Sequence, residues 1–128
     1  MLLDSNIIIY SAQPAYPNLR ALIAQHAPFI SALSYLEVLG YHQLTEPQRQ
    51  YFEAFFQVSQ VLPISQDVLE QAVALRQQRR MTLGDSIIAG TALVHELILV
   101  TRNTHDFRWI ANLDFLNPFE AEDNGEEL

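Results

Sequence analysis

The stretch Leu83-Gly84-Asp85-Ser86-Ile87-Ile88-Ala89-Gly90-Thr91-Ala92-Leu93 sets one carboxylate directly in front of an almost uniformly apolar helical run. Ile87, Ile88, Ala89, Ala92, Leu93 and Val94 leave no wet face for about two turns, which predicts a helix enclosed by its own domain. An aspartate is rarely taken into such surroundings without a partner. Three partners fit Asp85: the free N–H groups of its own helix, an arginine, or a metal ion.

Working outward from this helix, short apolar strands alternate with helices. On the C-terminal side, Leu97-Ile98-Leu99-Val100 predicts a buried strand, with Thr101-Arg102-Asn103-Thr104-His105-Asp106-Phe107 as the loop beyond it. Leu113 to Leu116 predict a final edge strand, closed by Pro118. On the N-terminal side, Ser65 caps a helix through Val68, Leu69, Ala72, Val73 and Leu75 that ends on Arg76, Arg79 and Arg80. Val61-Leu62-Pro63-Ile64 predicts the strand before it. Tyr51, Phe52, Phe55 and Phe56 form the apolar face of a helix that carries Pro47 near its start. From Ser31 a further helix sets Leu33, Leu36, Leu39, Gly40 and Leu44 on one stripe, with Glu37 at its border. Phe29-Ile30-Ser31 predicts a short strand. Leu19, Leu22 and Ile23 predict a helix reaching about His26, after a loop punctuated by Pro14 and Pro17. Met1 to Asp4 predict a very short buried strand, and Asp4-Ser5-Asn6 turns it into a helix over Ile7-Ile8-Ile9-Tyr10. Continuous apolar strands between helices point to a parallel sheet covered on both faces.

The 128 residues are expected to form one domain, residues 1–118, followed by an acidic C-terminal tail, 119–128, expected to be flexible. There is no cysteine, which excludes disulfides and Cys-ligated zinc or iron–sulfur sites and fits a reducing, cytoplasmic setting. The N-terminus has no basic region of the signal-peptide kind. No apolar run reaches the ~18 residues of a membrane span, so no membrane partner is expected. The net charge is −8, and all seven cations are arginines. Such a balance disfavours a broad electrostatic grip on nucleic acid. Five of the fifteen acids lie in the last nine residues, however; the other ten face seven arginines, a net of −3.

In open parallel α/β sheets, ligands bind beyond the carboxyl ends of the strands. Asp4 ends the first strand, Asn103 and Asp106 follow the fourth, Asp85 opens a helix, and Glu37 lies early in another. Taken singly, Asp4 reads as a turn acceptor, Asp85 as a helix-start charge, Glu37 as a solvated residue and Asp106 as a turn former. Together they fall where one sheet edge gathers them, and there they repel one another unless a cation intervenes. A hard divalent ion such as Mg²⁺ takes oxygen ligands, keeps several waters and needs only a few carboxylates. His26, His42, His95 and His105 show no shared metal spacing. Arg76, Arg79 and Arg80 sit where cations complement a helix C-terminus, a plainer role than an RNA patch.

Asp4-Ser5-Asn6 after an N-terminal hydrophobic strand, Glu37 in an early helix, the Leu83–Ala89 motif and the Thr101–Phe107 motif together resemble the PIN domain. Within that family they resemble the VapC toxins of type II toxin–antitoxin modules. The resemblance runs from Met1 to about Pro118. It implies a three-layer α/β/α fold around a mainly parallel sheet, and Mg²⁺- or Mn²⁺-dependent endoribonuclease activity. It implies metal-ligand or catalytic roles for Asp4, Glu37, Asp85 and Asp106, with Asn103 orienting water or a ligand. Ser5 replaces the more usual threonine and keeps the hydroxyl. The expected chemistry is attack of water on an RNA phosphodiester, leaving a 5′-phosphate and a 3′-hydroxyl. Asp4, Asp85 and Asp106 would hold the metal, with Glu37 as ligand or general base. Ser5, Asn6, Arg102 and Arg108 are candidate substrate contacts, the two arginines pairing with phosphates or forming surface salt bridges. A cognate antitoxin and a homodimer are the expected protein partners, and the aromatic group from Tyr35 to Phe56 could offer them a groove.

Two other readings are a PIN-fold module that binds RNA or protein without cutting, and a PIN nuclease of RNA processing. A receiver-type domain gathers similar acids but needs a lysine, which the chain lacks, and a haloacid-dehalogenase-like phosphatase needs a second Asp two residues after its nucleophile, where Asn6 stands.

Overall fold

All five predicted strands are present, and most are shorter than their apolar runs. The computed structural model describes residues 1–123. In chain order the elements are β1 (Leu2–Leu3), α1 (Ser5–Ser11), α2 (Pro17–His26), β2 (Phe29–Ser31), α3 (Ala32–Leu39), α4 (Glu46–Gln57), β3 (Gln60–Leu62), α5 (Gln66–Gln78), α6 (Leu83–His95), β4 (Leu99–Val100), α7 (Thr104–Phe107), β5 (Phe115–Leu116) and α8 (Glu120–Asp123). The strands form one sheet in the order β3-β2-β1-β4-β5, with every neighbouring pair parallel.

Side chains alternate across a strand, so even two-residue strands feed two cores. Leu2 and Leu99 join Leu75, Ile88, Ala89, Ala92, Phe107 and Ile110 under α5, α6 and α7. Leu3, Ile30 and Val100 join Ile7, Ile8, Leu19, Val38, Phe52 and Phe56 under α1 to α4. The result is three layers, helices on both faces of a parallel sheet. The α6 helix is enclosed as its sequence predicts, with Ser86 and Ile88 to Ala92 buried. Its backbone runs close to α5: a Cβ added at Gly90 would lie 2.9 Å from the carbonyl oxygen of Val68. No helix of the described residues is long and apolar enough to cross a membrane.

Several boundaries differ from expectation for local reasons. Glu96 takes the left-handed conformation that ends α6, and the Leu97 N–H bonds back to the Ala92 carbonyl. The chain is thus still capping a helix at Leu97, and β4 begins only at Leu99. The third strand runs Gln60–Leu62, not from Val61 to Ile64, because Pro63 has no N–H to continue a ladder. The final strand is confined to Phe115–Leu116 at the sheet edge. The stripe expected along α3 is buried only in part, with Leu33, Leu39 and Leu44 packed against the two cores. The helix stops at Leu39 before Leu44 is reached, Ser34 and Val38 are buried, and Leu36 is 68% exposed. The Thr101–Phe107 segment is not all loop, since Thr104–Phe107 winds into α7. Nor does the chain leave the body at Pro118. Phe119 is 6% exposed and packs edge-on against Tyr10 and Tyr16, and α8 follows. The rest of the expected acidic tail, residues 124–128, lies outside the described residues.

Candidate active site

Three neighbouring strands end at one edge of the sheet, and each delivers polar groups there. Beyond β1, Asp4 occupies the N-cap position of α1 without making the usual side-chain cap bond. Its carboxylate is instead turned to the end of β4, where the Thr101 hydroxyl donates to Oδ2 at 2.9 Å. Beyond β2, Ser31 caps α3 by accepting the Leu33 N–H at 3.1 Å, which starts the helix that carries Glu37. Beyond β4, the Thr101 Oγ1 also accepts the Asn103 N–H at 3.1 Å, setting the turn that leads to Asp106. The fourth acid comes from the N-terminus of α6. There Thr82 caps the helix by accepting the Asp85 N–H at 3.1 Å.

Ser5 ties two of these elements together. It is buried, its hydroxyl donates to Glu37 Oε1 at 2.8 Å, and it lies 2.8 Å from the Ser34 hydroxyl. The other Glu37 oxygen lies over the backbone of Gly84, next to Asp85; a Cβ at Gly84 would be 3.5 Å from Oε2.

The electrostatics record the crowding. Asp4 is 7% exposed. Burial pushes its carboxyl up to about 6, opposed by the Thr101 hydrogen bond and reinforced by the charges of Asp85 and Glu37. Burial likewise raises Asp85, and the Asp106 and Glu37 charges add to it. Thus Asp4, Glu37, Asp85 and Asp106 sense one another across four elements. None of the four is in an ion pair among the described residues, where the pairs are Arg49 with Glu46 and Glu53 and Arg102 with Asp123.

Among the described residues, no three acidic or histidine side chains are drawn together tightly enough to grip one ion. Uncompensated carboxylates repel, and an open cluster is the expected relaxed arrangement. The donor set is nonetheless all oxygen, anionic in excess and free of paired cations. It suits a hard divalent ion that keeps most of its waters, and not a thiolate- or imidazole-seeking metal.

The other predicted contacts divide. Asn6 is exposed in the first turn of α1, and Asn103 and Arg108 are exposed on either side of α7. Ser5 does not face outward for a substrate; its hydroxyl is spent on Glu37 and Ser34. Arg102 is likewise engaged. It holds the Asp123 carboxylate with bonds of 3.0 and 2.8 Å and lies over the rings of Tyr10 and Phe119. Of its two expected roles, the salt bridge is the one seen.

Sequence inspection misses Thr101, Ser34 and Thr82, which position the acids, and it underrates the arginines that end α5. A cleft of about 490 Å³ is lined by Arg76, Arg79 and Arg80 together with Asp85, Asp106 and Trp109. His105 also lines it. The clue in the sequence is that Asp85 follows Arg80 after only four residues, so the cations of one helix end must lie near the acid that opens the next.

The family model of the PIN domain matches residues 1–113. Among solved structures, a toxin–antitoxin complex from Klebsiella pneumoniae is similar at 33% identity, over 91% of this chain and 96% of that one, with a TM-score of 0.73. VapBC2 from Rickettsia felis, bound to a promoter DNA fragment, shares 23% identity and a TM-score of 0.76, over 91% and 96% of the two chains. DNA-bound VapBC from Salmonella typhimurium shares 21% identity and a TM-score of 0.79, over 90% and 95%. No curated protein sequence matches the chain.

Proposed function

Since the chain belongs to the PIN domain family, we propose that it is a divalent-metal-dependent endoribonuclease serving as the toxin of a type II toxin–antitoxin module. One observation supports the chemistry: at the carboxyl edge of the sheet Asp4 feels the charges of Asp85 and Glu37, and Asp85 those of Asp106 and Glu37, with no cation paired to any of the four among the described residues. The toxin role rests on similarity to the Klebsiella pneumoniae toxin–antitoxin complex.

In this proposal Asp4, Asp85 and Asp106 hold the metal, Mg²⁺ or Mn²⁺. When bound, such an ion supplies Lewis acidity toward a phosphodiester oxygen and acidifies water. Glu37 has one oxygen fixed by Ser5 and the other free to orient the attacking water or accept its proton. Asn103 and Asn6 stand exposed at the same edge as neutral hydrogen-bond partners for substrate or water. Thr101 holds Asp4 in place against the repulsion of its neighbours.

The proposed protein partners are a cognate antitoxin and a second copy of the chain. Their support is the apolar surface left open beside Glu37, where Tyr35, Leu36 and Tyr41 are all exposed.

The test is cleavage of a structured RNA pool by purified protein in Mg²⁺, Mn²⁺ or EDTA, with Asp85→Asn as control. Metal-dependent cutting, reduced at least about 100-fold by the substitution, is the expected result. Cutting that persists in EDTA or in the variant would overturn the assignment. A folded protein that binds RNA but neither Mn²⁺ nor Mg²⁺ would instead be a non-cutting member of the fold.

A further inference from the structure

The seven arginines of this acidic chain are not distributed evenly in their duties. Arg49 is paired to Glu46 and Glu53, and Arg102 to Asp123. Arg20 is turned onto the carbonyls of Ser11 and Gln13. Of the four that remain, Arg108 has no partner among the described residues, and Arg76, Arg79 and Arg80 share a single cleft with two of the site carboxylates. None of these three is in an ion pair among the described residues, although Asp85 and Asp106 line the same cleft. Arg76 donates Nε to the Met81 carbonyl at 3.3 Å, which fixes its stem and leaves the two terminal nitrogens without a partner among the described residues. Arg79 lies over Trp109, its guanidinium carbon 5.5 Å from the ring centroid.

That contact narrows what Arg79 can do. A guanidinium attracted to an aromatic ring by its charge spends none of its N–H donors on the contact, and they stay available to grip a phosphate in bidentate fashion. Trp109 is in turn fixed to the acidic site, because its indole N–H donates to the Asp106 carbonyl at 2.9 Å. Arginine, tryptophan and site acid therefore form one connected unit. A helix C-terminus attracts cations but would not need one of them clamped to the turn that carries Asp106.

We propose that Arg76, Arg79 and Arg80 form the phosphate-binding wall of the substrate site. Arg79 on Trp109 would seat the phosphate next to the one cut. The ligand class is a single-stranded polyribonucleotide, and this assignment rests on the nuclease reading above for the choice of RNA. A phosphodiester chain matches both halves of the cleft, because one phosphate can face the carboxylates through a cation while its neighbour meets the arginines. An acidic polypeptide matches only the arginine half. The overall charge of −8 leaves little general attraction for RNA, so a local wall of this kind carries most of the affinity.

The experiment measures binding of a labelled single-stranded RNA of mixed sequence across a salt series, with Ca²⁺ in place of Mg²⁺. It compares the native protein with Arg79→Gln/Arg80→Gln and Arg79→Lys/Arg80→Lys. The glutamine variant should bind about 10-fold more weakly at low salt. Its dependence of log affinity on log salt should be shallower by about 0.7 for each phosphate no longer neutralised. The lysine variant should keep the salt slope, and Mn²⁺ binding should not weaken in either, which separates removal of a phosphate grip from a damaged fold. Unchanged affinity and slope in the glutamine variant would overturn the wall, and so would undetectable RNA binding by the native protein. Loss of polyglutamate binding with RNA binding intact would also overturn it, by making the wall a protein-docking surface. If the native protein fails to cut RNA yet the glutamine variant loses RNA affinity, the wall stands and the nuclease reading falls.

Discussion

At the scale of single residues the site is governed by burial first and by like charge second. Asp4 holds its proton more tightly in the fold than in the unfolded chain, with a pKa of about 6 against an ordinary 3.8. Its contribution to stability is therefore fullest below about pH 4 and is lost as pH rises through 6. At about 1.4 kcal/mol per tenfold change in proton affinity, the loss is on the order of 3 kcal/mol. Urea unfolding of the metal-free protein in EDTA should show that decline between pH 4 and 7. Asp4→Asn should remove most of it and be more stable than the native chain at neutral pH. Mn²⁺ should restore stability to the native protein there, since a bound cation favours ionised carboxylates. A flat native profile would mean that Asp4 is solvated. Three of the acids are legible in the sequence because each follows a predicted strand or opens a predicted helix; Glu37, the sixth residue of α3, is legible only at the border of an apolar stripe. The groups that hold them are not. Ser5 reaches partners 29 and 32 positions away, and Thr101 reaches Asp4 across 97. Nothing in local spacing announces a hydrogen bond of that span.

At the scale of elements, α6 is the most readable part of the chain, and its packing makes the sharpest prediction. Gly90→Ala would ordinarily strengthen a helix by up to about 1 kcal/mol. Here the new methyl would come 2.9 Å from the Val68 carbonyl oxygen and 3.3 Å from the Ala72 nitrogen, both backbone atoms of α5. Neither can swing aside as a side-chain tip would. The substitution should cost about 1–3 kcal/mol in chemical denaturation; a neutral or stabilised protein would show that α5 and α6 can slide apart freely. Readability fails where an apolar residue has two possible employers. Leu36 repeats with Leu33 and Leu39 and looks like core, yet it is left on the surface while Ser34 is buried. The difference is that the inward side of α3 serves the hydroxyl network around Ser5 as well as the apolar layer. Likewise α7 reads as loop, because its four residues are too few to display a helical period.

At the scale of the whole molecule, the C-terminal segment closes one side of the larger apolar core. Phe119 packs against Tyr10 and Tyr16, and Arg102 lies across Tyr10 and Phe119 while holding Asp123. Phe119→Ala should lower stability by roughly 3–5 kcal/mol. It should leave Mn²⁺ binding measurable, because the cluster lies on the α1–α2 side, away from Asp85; loss of metal binding in a protein that still folds would show the two regions to be coupled. The sheet order has a consequence of another kind. Its central strand, β1, is flanked on one side by β4, whose Leu99 lies 97 positions after its partner Leu2. Until that distant segment docks, the middle of the sheet has an open flank, and Asp4 lacks the Thr101 hydroxyl. Whatever chemistry the site performs, it cannot begin until that segment has closed the sheet.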